Sequence, residues 1–116
     1  IRGDDYLSQN KIGHIDFLKI DVEGSEPEVL KGFNQAFENQ SISLVQFEYG
    51  QMNILRRFLL IDFYQFFETL GYAVGKLFPE GVRFKEFALS DENFYNSNFI
   101  ACSKSKPDLI EFLRNF

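Results

Sequence analysis

Two sets of side chains in this sequence have the type and spacing to do chemistry. The first is Asp21-Val22-Glu23-Gly24-Ser25-Glu26, in which Asp21 and Glu23 stand two apart and share one side of an extended chain. The second is Glu48, followed at once by Tyr49 and Gly50. Carboxylates placed like this can take a proton from a substrate or ligate a cation. A structural reading competes, in which Glu26 and Glu28 stabilise the start of a helix. On spacing alone that reading leads. Ser25 as a nucleophile is the weakest of the three, because helix capping accounts for it and no motif places the single histidine. That histidine, His14, has no second His or Cys at ligand spacing, so it reads as a loop residue and no metal site is expected.

Lys19 lies inside an otherwise apolar run, where burial is costly unless the charge is paired. Asp21, two residues on and facing the same way, is its natural partner; otherwise the lysine reaches out to the strand end. Phe58, Phe63, Phe66 and Phe67 read most simply as core. Tyr49, Tyr64 and Tyr95 are of a type to line a carbohydrate-like site, though nothing in the sequence demands one. No G-x-G-x-x-G and no P-loop occurs in the sequence.

The elements that must position these residues follow from periodicity. A helical turn is expected over residues 4–10, with a loop to His14. Ile15 to Val22 is a short apolar run of the kind found in buried parallel strands. Ser25 and Glu28 make a capping box, and Pro27 suits a first helical turn. One helix is expected from about Glu26 to Glu38, with Val29, Leu30, Phe33 and Phe37 inward and a close packing contact at Gly32. Ile42 to Tyr49 is a second strand. A helix from about Leu55 to Leu70 follows, closed by Gly71. Tyr72 to Phe78 is a third strand, Pro79-Glu80-Gly81 a turn, and Phe84 to Leu89 and Asn98 to Ser103 short strands. Pro107 opens a terminal helix. The βαβα start implies a parallel sheet, and the short later connections suggest antiparallel strands added at its edge. Ligands of such sheets bind beyond the carboxyl ends of the strands, where both acidic sets lie.

Bulk properties set the limits. With 116 residues, 45% hydrophobic and 25% charged, the chain is one domain or part of one. The net charge of −5, with no basic stripe, argues against a nucleic-acid partner. No apolar run is long enough to span a bilayer, and no signal peptide opens the sequence, so no membrane partner and a cytoplasmic location are expected. The one cysteine, Cys102, excludes an internal disulfide. The first residue is Ile, which suggests an excerpt of a longer chain.

The run Ile15-Asp16-Phe17-Leu18-Lys19-Ile20-Asp21-Val22-Glu23-Gly24-Ser25-Glu26, with Val29-Leu30-Lys31-Gly32 after it, closely resembles the signature segment of the FkbM family of S-adenosylmethionine-dependent methyltransferases. Val45-Gln46-Phe47-Glu48-Tyr49-Gly50 resembles the family's next strand and its acidic end. Asp62-Phe63-Tyr64, Leu70-Gly71-Tyr72 and Asp4-Asp5-Tyr6-Leu7 are similar to neighbouring segments, and the likeness fades after about Phe84. The resemblance implies an α/β fold: the C-terminal half of a Rossmann-like methyltransferase domain over residues 1–116, a mixed, mostly parallel sheet with flanking helices. It implies methyl transfer to a hydroxyl of a small-molecule or glycan acceptor. Asp21, Glu23 and Glu48 would be catalytic, Asp21 and Gly24 would face the S-adenosylmethionine cofactor, and Glu48 and Tyr49 would face the acceptor. The family's glycine-rich loop and ribose-binding acid belong to an upstream half with no counterpart here. The chain alone is therefore expected to be inactive, and to self-associate through its exposed first strand. The alternative is a non-catalytic α/β module that binds a partner or glycan through its acidic strand ends.

Overall fold

The computed structural model describes residues 1–22 and 24–116. Its strands are β1 (Ile15–Ile20), β2 (Ile42–Tyr49), β3 (Tyr72–Phe78), β4 (Gly81–Phe84) and β5 (Ser97–Ser103). The helices are α1 (Gly3–Gln9), α2 (Glu26–Gly32), α3 (Asn34–Glu38), α4 (Met52–Arg56), α5 (Leu60–Thr69) and α6 (Pro107–Leu113), with one 3-10 turn at Leu89–Asp91.

The five strands form one sheet in the order β1-β2-β5-β3-β4. Only β1 and β2 pair in parallel; β2 with β5, β5 with β3, and β3 with β4 are antiparallel. The expectation of a mostly parallel sheet is therefore corrected to a mixed one. The cause is the position of β5. It does not extend an edge, as its short connection suggested, but enters between β2 and β3 and runs against both. With β5 between them, β1, β2 and β3 still point the same way, so their carboxyl ends share one rim.

Residues that pair directly across strands share a face. Val45, Phe47, Phe99 and Val74 lie on the face that packs against Leu30, Phe37, Phe63 and Phe67 of the helices. The aromatic rings interlock: Phe47 stacks on Phe63 at 4.2 Å, and Phe37 meets Phe66, Phe67 and Tyr72 edge to face at 5.5–5.6 Å. Such pairs add about 0.5–1.5 kcal/mol each beyond the area they bury. On the opposite face, Ile100, Cys102 and Val82 pack against Leu113 of α6.

Both expected long helices are broken. The first gives way at Phe33, between α2 and α3. There the Asp4 carboxylate of α1 accepts hydrogen bonds from the Gln35 and Ala36 N–H groups, at 2.9 and 3.1 Å, and so caps α3. Gly32 makes the expected close contact: a Cβ there would sit 3.2 Å from the Gly3 nitrogen. The second breaks at Arg57, which is left-handed (φ 55°). The Asn53 side chain bridges that break, accepting from Gly50 N–H and donating to the Phe58 carbonyl. Gly71 follows α5 with φ +84°, the helix-ending conformation that favours glycine. The expected capping box at Ser25 is not formed. Ser25 has φ −104°, ψ 14°, outside the extended region from which an N-cap hydroxyl reaches back. The strand expected at Phe84–Leu89 instead begins at Gly81 and ends at Phe84.

Candidate active site

The ladder between β1 and β2 ends at the pair Ile20 and Phe47. One step further would set Asp21 beside Glu48, and like charges directly opposite repel. A groove of about 550 Å³ lies at the carboxyl end of β2. Among the described residues its carboxylates are Glu26 and Glu48, and Gly24, Gly50, Asn53 and Asn98 also line it.

The sequence-derived candidates are placed as follows. Glu48 is exposed on the groove wall. Tyr49 also lines it, but its ring is buried and its phenol is occupied. The hydroxyl donates to Glu92 Oε2 at 2.5 Å and accepts from the Phe94 N–H at 3.0 Å. Burial first, and then the Glu92 bond, push the phenol well above its usual range. Gly24 also lines the groove, at φ +88°, a conformation costly for any residue with a Cβ. A Cβ there would also meet the Arg56 guanidinium, which lies across the α-carbon. Asp21 is exposed just past β1 and is not part of the groove lining. Glu23 lies outside the described residues. Lys19 is exposed and has no ion pair among the described residues, so the burial that called for a partner or a reach to the strand end does not occur. His14 Nε2 sits 2.8 Å from Ser43 Oγ and 3.4 Å from Asp16.

Three contributors escaped sequence reasoning. Glu26 was read as a helix-end charge, yet it is only 9% exposed and lines the groove. Among the described residues its carboxylate has no hydrogen-bond or ion-pair partner. Asn98 is the direct cross-strand neighbour of Glu48, and Asn96 sits tight against Gly50, where a Cβ would fall 1.9 Å from its Oδ1. Both belong to the approach or start of β5, so only the insertion of β5 beside β2 brings them here. No local pattern announces that.

A family model, the methyltransferase FkbM domain, matches residues 1–74. The chain belongs to this family. The matched FkbM segment runs from α1 into β3 and contains both acidic walls of the groove. No curated protein and no solved structure matches the chain. Among the described residues, no helix is long and apolar enough to cross a membrane, and no cluster of three metal-ligating side chains occurs.

Proposed function

We propose that the groove is part of the site of an S-adenosylmethionine-dependent O-methyltransferase with a Rossmann-like sheet, acting on a hydroxyl of a sugar or natural-product acceptor. Membership of the FkbM family supports methyl transfer. The observation that carries the assignment to this groove is its lining: the carboxylates of Glu26 and Glu48 share it, at the carboxyl end of β2.

S-adenosylmethionine supplies an electrophilic methyl group on a cationic sulfonium, and its ammonium is a second positive charge. The donor set fits such a group, because among the described residues the groove lining holds two carboxylates and no cation, with Arg56 lying against Gly24. Glu26 would hold the cationic end. Glu48 Oε would take the acceptor's hydroxyl proton as its oxygen gains the methyl group. Asn98 and the Tyr49 wall would orient the acceptor, with positioning as the main contribution to rate. Asp21, exposed past β1, and Gly24 would face the cofactor. The nucleoside grip is assigned to further strands paired along the free edge of β1, outside this chain.

Two measurements test this. Replacing Glu48 by Gln in the protein that carries this chain is expected to lower kcat about 100-fold, the lower end for loss of a general base, with thermal unfolding unchanged. An unchanged rate would overturn the role of Glu48 and favour a non-catalytic binding module. Calorimetric titration of S-adenosylmethionine into the 116-residue chain is expected to show no binding at micromolar concentration. Micromolar affinity, about −8 kcal/mol, would overturn the division of the site between this chain and further strands.

A further inference from the structure

A second pocket lies at the same rim, toward the β3 side of the sheet. It measures about 180 Å³, and its chemistry comes from Tyr64, Lys76, Phe78, Arg83, Lys85 and Asp91. Lys76 and Arg83 are direct cross-strand partners on β3 and β4, so both side chains leave the sheet on one face. Like charges directly opposite each other destabilise a sheet. Here both lean on the Phe78 ring, with Lys76 Nζ 5.5 Å and Arg83 Cζ 4.6 Å from its centroid. Lys85, two residues beyond Arg83, pairs with Asp91. Three cations and one carboxylate leave two positive charges in excess, on a chain whose net charge is −5.

Charges on an edge strand commonly serve to deter pairing with other chains. That accounts for Arg83 and Lys85 on or just beyond β4. It does not account for Lys76, which is half-buried on the interior strand β3 and converges on the same pocket. Tyr64 adds a hydroxyl that burial keeps protonated, its pKa pushed up to about 12.

We propose that this pocket binds a phosphate-type dianion, held between Lys76 and Arg83. A phosphomonoester carries about −1.5 to −2 at pH 7, which matches the excess charge. The arginine fork suits two of its oxygens, and the lysine contributes a point charge. Bound there, the anion would relieve the repulsion between the two cations. The pocket neighbours the groove at the rim, with Ser97 in the lining of both. The dianion is therefore assigned to a phosphorylated acceptor that crosses the rim at Ser97, because Glu48, paired with Asn98, leaves the sheet on the face opposite Lys76, which is paired with Phe99. That last step rests on the methyl-transfer reading; the anion site does not.

The test is titration of inorganic phosphate into the chain at constant ionic strength, followed by amide NMR shifts. Saturable shifts confined to β3, β4 and residues 93–97 are expected. Lys76→Gln and Arg83→Gln should each weaken binding at least tenfold. Without phosphate, each variant should melt at the same temperature as the parent or higher, because a like-charge pair is gone. Shifts that never saturate, or equal affinity in the double variant, overturn the site. A hexose phosphate is the second probe. Tighter binding than inorganic phosphate, with added shifts at Glu48 and Gly50, supports the acceptor assignment. Equal affinity without those shifts overturns the link to the groove and leaves the anion site standing.

Discussion

Cys102 is fully buried near the end of β5, packed with Val82, Ile100 and Leu113. Burial alone pushes its thiol from 9.0 up to about 11. The thiolate is the reactive form. With that pKa, only about one thiol in a thousand is ionised at pH 8. A thiol reagent at pH 8 should therefore leave the folded chain essentially unmodified and titrate one equivalent once urea unfolds it. Prompt stoichiometric reaction of the folded chain would show that β5 is not the buried strand described here. The same shift sets a pH dependence. A folded pKa above the unfolded one means that folding favours the neutral thiol. Its stabilising contribution is complete below pH 9 and is lost as pH rises from about 9 through 11. Tyr64 and Tyr72, both raised from 10.0 to about 12 by burial, act in the same direction. The melting temperature should accordingly fall above pH 9.

At the scale of elements, α5 depends on a residue far from it in sequence. Glu92 accepts from the Leu60 and Ile61 N–H groups at 2.9 and 3.0 Å, at the positive end of the helix, while also receiving the Tyr49 hydroxyl. Hydrogen bonds to a charged group contribute about 1.5–3 kcal/mol each. Glu92→Ala should therefore cost about 3 kcal/mol in urea unfolding, and a loss below about 0.5 kcal/mol would mean that solvent caps the helix equally well. Contacts of this kind also decide what the sequence could disclose. β2 at Ile42–Tyr49 and β3 at Tyr72–Phe78 lie where the apolar pattern puts them, because strand pattern and the Gly71 stop are local signals. The breaks at Phe33 and Arg57 were hidden, because periodicity runs straight through them while Asp4 and Glu92 act from about thirty residues away. The site was half visible for the same reason. Glu48 sits at a strand end and Gly24 in the connection between β1 and α2, and both could be read as such. Asn96 and Asn98 could not, since a short connection says that β5 is antiparallel but not which strands it enters between.

For the whole molecule, the weak point is β1. It is an edge of the sheet, paired only with β2. Phe17 projects on the face opposite the main core and is 49% exposed, and Val22 just beyond the strand is 41% exposed. The helix α6 covers the other end of that face, against β5 and β4, and leaves this one open. Only Asp16 and Lys19 place charges along the strand, a thin guard for a row of unpaired backbone groups. Such an edge can pair antiparallel with the same edge of a second copy about a two-fold axis, each chain contributing the same residues. We predict that the isolated chain self-associates in this way. Light scattering behind size-exclusion chromatography should show a mass rising with concentration above the 13.6 kDa of one chain. Phe17→Lys, which adds a charge to the strand without touching its register, should return the sample to monomer. A single monomer peak for the parent chain across micromolar to millimolar concentration would sink the prediction. It would mean that Asp16 and Lys19 suffice to protect the edge, and that further strands need not be there to cover it.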